Sequence, residues 1–96
     1  MNFFKSVDEK FAEIGLVKVE ESDYVASYER KTKFGYTQCV DLVHKASGFH
    51  LIQSYEKGVN TDGFSNAVGM NMYEVRLCLK KMKQMGWKEK KGCVSV

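Results

Sequence analysis

Proline is absent from the 96-residue sequence, and no run of apolar residues approaches the ~20 that a membrane-spanning helix requires. No linker-like stretch divides the chain, so we expect a single domain over residues 1–96. The first ten residues, MNFFKSVDEK, lack the apolar segment of a secretory signal peptide. Membrane and secreted classes are therefore not favoured, and no membrane partner is expected.

Cysteine is also scarce, since the chain has only Cys39, Cys78 and Cys93, without a Cys-X-X-Cys spacing. An odd number of widely separated cysteines is not typical of a disulfide framework. Cys39 and Cys78 fall in otherwise apolar segments, where a free cysteine behaves as a small buried hydrophobe. This use of cysteine predicts a reducing, cytoplasmic environment.

What is present is an ordinary globular composition with an uneven distribution of charge. Hydrophobic residues make up 44% and charged residues 28%, as in a typical folded domain. The net charge is +3, but residues 1–30 carry −3 and residues 71–96 carry +5. Two interpretations of the C-terminal quarter stay open: a surface for an anionic partner, or lysines that only solubilise an amphipathic helix.

A first helix is predicted close to the N-terminus. Ser6 followed by Glu9 matches a capping box, in which each side chain satisfies a backbone N–H at the start of a helix. Four apolar residues at spacings of three and four share its core face: Phe4, Val7, Phe11 and Ile14. Gly15 fits the left-handed position that ends many helices, so we expect it to have a positive φ.

A second helix is predicted to begin after Asn71, which forms a capping pattern with Glu74. Six apolar residues on one arc are expected to face the core: Met72, Val75, Cys78, Leu79, Met82 and Met85. Gly86 repeats the ending of the first helix, again with an expected positive φ. Leu79 is central to this arc, so its replacement by alanine should destabilise the fold by about 2–5 kcal/mol.

Between the helices the hydrophobic period changes to two, which is typical of strands. Four strand candidates follow one another: residues 16–20, 24–31, 34–45 and 49–56. Short connections, including Ala46-Ser47-Gly48, favour an antiparallel meander. The sequence thus predicts an α+β domain of order α-β-β-β-β-α, with two helices packed on one face of an antiparallel four-stranded sheet.

Both alternating sets of residues on the predicted central strand contain apolar side chains. Val40 and Leu42 belong to one set, and Cys39 and Val43 belong to the other. Two helices on one face leave the second face uncovered. A second copy of the chain is the expected cover, which predicts a homodimer.

Two further segments have no clear periodicity. Residues 57–70 are predicted to form a long loop, and residues 88–96 either an edge strand or a frayed tail. Gly58 and Gly63 have the glycine spacing of a P-loop, but Phe64 stands where the lysine must reach the phosphates. No nucleotide cofactor is therefore predicted.

His44 and His50 flank the predicted hairpin; they would face each other across a three-residue turn, whereas across a two-residue turn they would not pair. A zinc site needs at least a third protein ligand on that face, and the neighbours Leu42 and Ile52 cannot serve. No spacing in the sequence requires a nucleophilic side chain to lie next to a general base. We therefore predict no metal, no cofactor and no catalytic residues.

The second helix carries a basic stripe formed by Arg76, Lys80 and Lys83, which recur at spacings of four and three. Tyr73 and Leu77 lie beside the basic stripe and outside the predicted core arc, and both are candidates for protein contacts. The basic stripe together with Tyr73 is a candidate nucleic-acid contact. The alternative is a solvated face whose long cationic side chains snorkel into water.

Two stretches, LIQSYEKGVN at residues 51–60 and LKKMKQMGW at residues 79–87, resemble small uncharacterised proteins encoded in phages and prophages of Gram-positive bacteria. The resemblance implies a cytoplasmic accessory product of a mobile element and brings no catalytic or binding residues. Such products often act by binding a host or phage macromolecule. The expected function is a non-enzymatic binding module that acts through protein contacts, with itself and with an unidentified protein. The alternative is a nucleic-acid-binding accessory protein that uses the basic stripe.

Overall fold

The computed structural model describes residues 5–57 and 66–89. In it, two helices pack on one face of a four-stranded sheet. The elements are α1 (Val7–Glu13), β1 (Val17–Glu21), β2 (Val25–Lys31), β3 (Thr37–Val43), β4 (Leu51–Lys57) and α2 (Met72–Gln84). The strands lie in the order β1-β2-β3-β4, and each is antiparallel to its neighbour. The α+β domain of order α-β-β-β-β-α is therefore confirmed. Neither helix in the described part of the chain has the length and apolarity that a membrane crossing requires.

The core lies between the helices and one face of the sheet. Tyr28 of β2 is opposite Val40 of β3, and Val40 is opposite Ser54 of β4, so these residues share the face toward the helices. The Phe11 ring of α1 stacks on Tyr28 with ring centroids 4.2 Å apart. The buried apolar cluster comprises Phe11, Leu16, Ala26, Tyr28, Val40, Leu42, Leu77, Cys78, Met82 and Trp87.

The predicted helix ends are confirmed. Asn71 forms a complete capping box with Glu74 at the start of α2, and Ser6 accepts a hydrogen bond from the backbone N–H of Glu9 at the start of α1. Gly15 has a φ of +88° and Gly86 a φ of +79°. Both glycines therefore occupy the left-handed region that lets the chain turn away from a helix end.

The face that α2 turns toward the sheet differs from the predicted arc. Leu79 is 55% exposed and Met72 is also exposed, so their placement in the core was wrong. Leu77, predicted to lie outside the core, is only 2% exposed. The helix is rotated because Glu74 and Lys81 lie on its inner side, at 5% and 4% exposure, where partners on other elements neutralise them.

Lys81 joins α2 to α1 and β1 through a cluster of charges. Its Nζ lies 3.1 Å from Oδ1 of Asp8 and 2.7 Å from Oε1 of Glu21. Lys18 donates to both of these carboxylates, and the Tyr28 hydroxyl donates to Asp8 at 2.6 Å. A buried lysine is stable in this position because two carboxylates lie at contact distance from its ammonium, although Lys18 shares both of them.

Arg30 of β2 organises a second polar network beneath α2. Its guanidinium donates to the carboxylate of Glu74 at 2.8 Å, to the side-chain oxygen of Gln38 at 2.6 Å and to the carbonyl of Ile14 at 3.0 Å. Gln38 in turn donates to the hydroxyl of Ser54. The network fixes the rotation of α2 over the sheet, since each polar group beneath the helix has a partner.

The sheet face opposite the helices is polar at its centre. Cys39 is buried there, between Glu29 on β2 and Tyr55 on β4. Lys57 forms an ion pair with Glu29 at 2.6 Å, and the Tyr55 hydroxyl donates to Asp41 at 2.8 Å. This face is therefore less apolar than the alternation of residues along the strands suggested.

The outer edge of β4 is partly paired by the end of the predicted 57–70 loop. The backbone N–H of Glu56 donates to the carbonyl of Asn66, and the N–H of Val68 donates to the carbonyl of Ser54, both at 2.9 Å. Most of that loop, at residues 58–65, lies outside the described residues, as do Phe4 and most of the predicted 88–96 tail, including Cys93.

Candidate functional site

A groove of about 930 Å³ lies between the start of β4 and the C-terminal end of α2. Its apolar lining consists of Phe49, Leu51, Ile52, Leu79, Met82 and Trp87. Its polar side chains are those of His50, Lys83, Lys88 and Glu89. We refer to this feature as the β4–α2 groove.

Two large apolar side chains are exposed where they line the β4–α2 groove: Phe49 after the hairpin turn and Leu79 on α2. Scattered exposed hydrophobic residues are normal on a protein surface, but a concave cluster of them is typical of a binding site. The rotation of α2 that buries Leu77 is also what directs Leu79 toward the groove.

Aromatic rings pack together at one end of the β4–α2 groove, where His50 and Trp87 line it. The imidazoles of His44 and His50 lie 4.4 Å apart between centroids, which confirms that the two histidines face each other across the hairpin. The Trp87 indole packs against both imidazoles, at 5.3 Å from His44 and 5.6 Å from His50. Three aromatic rings from two separate segments therefore meet at one end of the domain.

His50 fixes the hairpin against the segment that follows α2. Its Nδ1 accepts a hydrogen bond from the backbone N–H of Lys45 at 3.0 Å, and its Nε2 lies 2.9 Å from the carbonyl oxygen of Lys88. Because a carbonyl only accepts hydrogen bonds, Nε2 of His50 is the donor in this contact. The shape of the groove is thus held by hydrogen bonds on both sides of one imidazole.

The β4–α2 groove offers few groups for metal or acid–base chemistry among the residues that the structure describes. Within residues 5–57 and 66–89, no three histidine, cysteine or acidic side chains are grouped closely enough to hold a metal ion. Both nitrogens of His50 are already engaged by backbone groups. What the groove offers a ligand is apolar area together with the positive charge of Lys83 and Lys88.

The two described thiols are not activated for nucleophilic chemistry. Burial raises the pKa of the Cys78 thiol to about 12, and burial also raises the pKa of Cys39. The thiolate is the reactive form of cysteine, so a raised pKa leaves these side chains in their unreactive state near neutral pH.

The basic stripe lies on the outer face of α2. Arg76, Lys80 and Lys83 are exposed, and Tyr73 is exposed beside them. Among the residues that the structure describes, these three cations form no ion pair. Leu77 does not belong to this surface because it lies in the core, so its prediction as an exposed protein contact was wrong.

The structure brings the basic stripe and the β4–α2 groove together through Lys83, which belongs to both. Sequence reasoning missed the groove residues Phe49 and Trp87. One signal for them was present: each aromatic directly follows a glycine that ends a turn, Gly48 or Gly86. In an antiparallel meander with helices on one face, those two turns lie at the same end of the domain.

Three comparisons with known proteins give no match: no family model fits the chain, and neither a curated protein nor a solved structure is significantly similar to it. The geometry of the β4–α2 groove and of the basic stripe is therefore the basis for assigning a function.

Proposed function

We propose that this chain is a non-enzymatic binding module, a cytoplasmic accessory protein of phage or prophage type, that acts through protein contacts at the β4–α2 groove. The observation that carries the proposal is the convergence of exposed Phe49 and Leu79 in one concave site that Ile52, Met82 and Trp87 also line. A partner that covers several apolar side chains at once removes a large apolar surface from water, which is favourable. Such a cluster therefore favours protein binding. The free thiols of Cys39 and Cys78 are consistent with a reducing compartment.

Site-specific photo-crosslinking tests this proposal. A photo-reactive phenylalanine analogue replaces Leu79 in the groove, and in a control it replaces Phe34. Phe34 is also apolar and exposed, but it follows β2, at the opposite end of the sheet from the β3–β4 hairpin. We expect crosslinks to a protein partner from position 79 only, in cells that carry the gene. Equal crosslinking from the two positions, or none from either, would contradict the proposal.

Self-association is part of the same proposal. The ends of the sheet face opposite the helices expose Val17 on β1 and Leu51 on β4, and a second copy of the chain would cover them. Sedimentation velocity across micromolar concentrations should detect a dimer, and Val17→Glu should shift the equilibrium toward monomer because it places a charge in the interface. A wild-type chain that stays monomeric throughout contradicts this part.

A second candidate function, nucleic-acid binding, is favoured by one specific observation: Arg76, Lys80 and Lys83 are exposed side by side and unpaired within the described residues. If they contact three phosphates of a duplex, log K should fall against log salt with a slope of about −2.7, since each contact contributes about −0.9. Replacing all three by glutamine should weaken binding and flatten that slope.

The control for this experiment is a second triple variant with the same change in charge. It replaces three exposed lysines outside α2 by glutamine: Lys31, Lys33 and Lys45. If the basic stripe makes the contact, the control variant should retain the wild-type slope of log K against log salt. If neither a duplex nor a single strand binds saturably at low salt, the basic stripe only solvates the helix.

A further inference from the structure

We infer that the β4–α2 groove binds an extended, acidic peptide segment of a partner protein, which adds as a short strand to the outer edge of β4. This inference rests on the proposed function, because it names the class of protein segment that the groove would take.

The first argument is the state of the β4 edge. Ser54 and Glu56 already pair with residues 66–68 on the outer side of β4, which demonstrates that this edge accepts another strand. Backbone groups on a strand alternate between its two sides, so those of Ile52 point to the same outer side. Within the described residues they have no backbone partner there. An incoming extended segment can satisfy them, as in strand addition to a sheet edge.

The second argument is the wall that stands next to this free edge. Leu79 and Met82 of α2, together with Trp87, line the groove opposite Ile52. Successive side chains of a strand point to opposite faces, so every second side chain of an added strand would point toward these three residues. Main-chain hydrogen bonds would then provide affinity, and the apolar wall would select the alternate side chains.

The third argument is charge. Lys83 and Lys88 line the groove against the single carboxylate of Glu89, and the basic stripe continues the positive surface through Arg76 and Lys80. Complementary potentials steer association and exclude partners of like charge. A second copy that paired edge to edge through β4 would bring two basic α2 faces together. A foreign segment that carries Asp or Glu between apolar residues is the occupant that the charges favour.

The fourth argument is the rigidity of the site before binding. His50 bridges the Lys45 amide and the Lys88 carbonyl, and the stack with Trp87 sets the distance between hairpin and helix end. A preformed groove requires little reorganisation, so more of the contact energy appears as affinity.

A displayed library of random peptides tests the inference on the full chain. We expect the enriched peptides to combine Asp or Glu with apolar residues at every second position. Leu79→Glu should weaken the binding of an enriched peptide by at least about tenfold. The new carboxylate would face both the apolar side chains and the acidic residues of the peptide. The matched control is Phe34→Glu, which adds the same charge at an exposed apolar position that does not line the groove.

Hydrogen exchange of the Ile52 amide distinguishes strand addition from side-chain contact alone. Protection of this amide when an enriched peptide binds is the expected result. Binding that leaves the amide unprotected would overturn the strand mode, and enrichment of basic peptides would overturn the charge assignment. Failure to enrich any peptide also overturns the inference. If position 79 nevertheless crosslinks a protein in cells, the proposed function stands; without that crosslink, both fail.

Discussion

The two faces of α2 follow the usual distribution of an amphipathic helix only in part, since the inner face buries Leu77, Cys78 and Met82 but also two charged side chains. The inner face buries a glutamate and a lysine, Glu74 and Lys81, whereas the outer face exposes Met72 and Leu79. In α1 the ordinary rule holds, since its apolar residue Phe11 is fully buried in the core. The difference teaches that a helix is oriented by the partners available on the sheet as well as by its own apolar residues. Arg30 on β2 and the carboxylates of α1 and β1 make charge tolerable beneath α2.

The largest expected effect compares two leucines on opposite faces of this helix. Leu77→Ala should lower the free energy of unfolding by about 2–5 kcal/mol, because it removes a buried side chain and leaves a cavity. Leu79→Ala should change it by no more than about 0.5 kcal/mol, since Leu79 is mostly exposed. Denaturant unfolding of both variants checks this prediction. Equal losses in the two variants would mean that the described rotation of α2 is incorrect.

A pair of adjacent lysines provides the next comparison. Lys81→Ala leaves the carboxylates of Asp8 and Glu21 without their buried partner, which should destabilise the fold by about 2–4 kcal/mol. This is below the range for a fully buried pair because both carboxylates are about one-third exposed. Lys80→Ala should have an effect within about 0.5 kcal/mol. If the two variants unfold at the same temperature, the ion pairs of Lys81 do not determine the stability of the fold.

Much of the fold was accessible to sequence reasoning because it depends on local signals. The capping residues Ser6 and Asn71 and the terminal glycines Gly15 and Gly86 act within one turn of the chain, and each lies where it was expected. The period of two predicted the four strands and their antiparallel order, although the strand ends shifted by up to three residues.

The orientation of α2 was not accessible in the same way. Hydrophobic periodicity fits an arc through Leu79 nearly as well as one through Leu77, and the choice depends on ion pairs with residues more than forty positions away, such as Arg30 with Glu74. The groove followed from that choice, so it was missed too. The residues of the basic stripe were identified correctly as exposed because a cluster of three cations without partners is rarely buried.

Acid should weaken the inner face of α2 selectively. Burial raises the pKa of Asp8, but hydrogen bonds from Tyr28, Lys18 and Lys81 outweigh it and hold the pKa below its ordinary value. Hydrogen bonds from Lys81 and Lys18 likewise lower the pKa of Glu21. Because the folded pKa values lie below the unfolded ones, this stabilisation is present above about pH 4–5 and is lost as the pH falls through that range and below.

Equilibrium unfolding across this acidic range measures the effect. We expect the free energy of unfolding to fall as the pH decreases, and Asp8→Asn to reduce the slope because one of the titrating carboxyls is absent. A variant with the wild-type slope would show that Asp8 does not contribute to the acid response.

The smallest expected effect concerns the turn that leads from α2 to the groove. Gly86→Ala should cost about 1 kcal/mol, since a φ of +79° disfavours any residue with a Cβ although the surrounding space is open. Gly69→Ala is the control, because Gly69 also has open space around it but has no positive φ. Thermal unfolding should show a loss for position 86 and no loss for position 69. An equal change in stability for the two variants would show that the positive φ of Gly86 has no effect on stability.

Trp87 is the only tryptophan in the chain, and its indole lines the β4–α2 groove and packs against the rings of His44 and His50. The intrinsic fluorescence of the protein therefore originates from the site where binding is proposed. A segment that enters the groove changes the polarity around the indole. The molecule thus carries its own optical probe, which reports groove occupancy without any label.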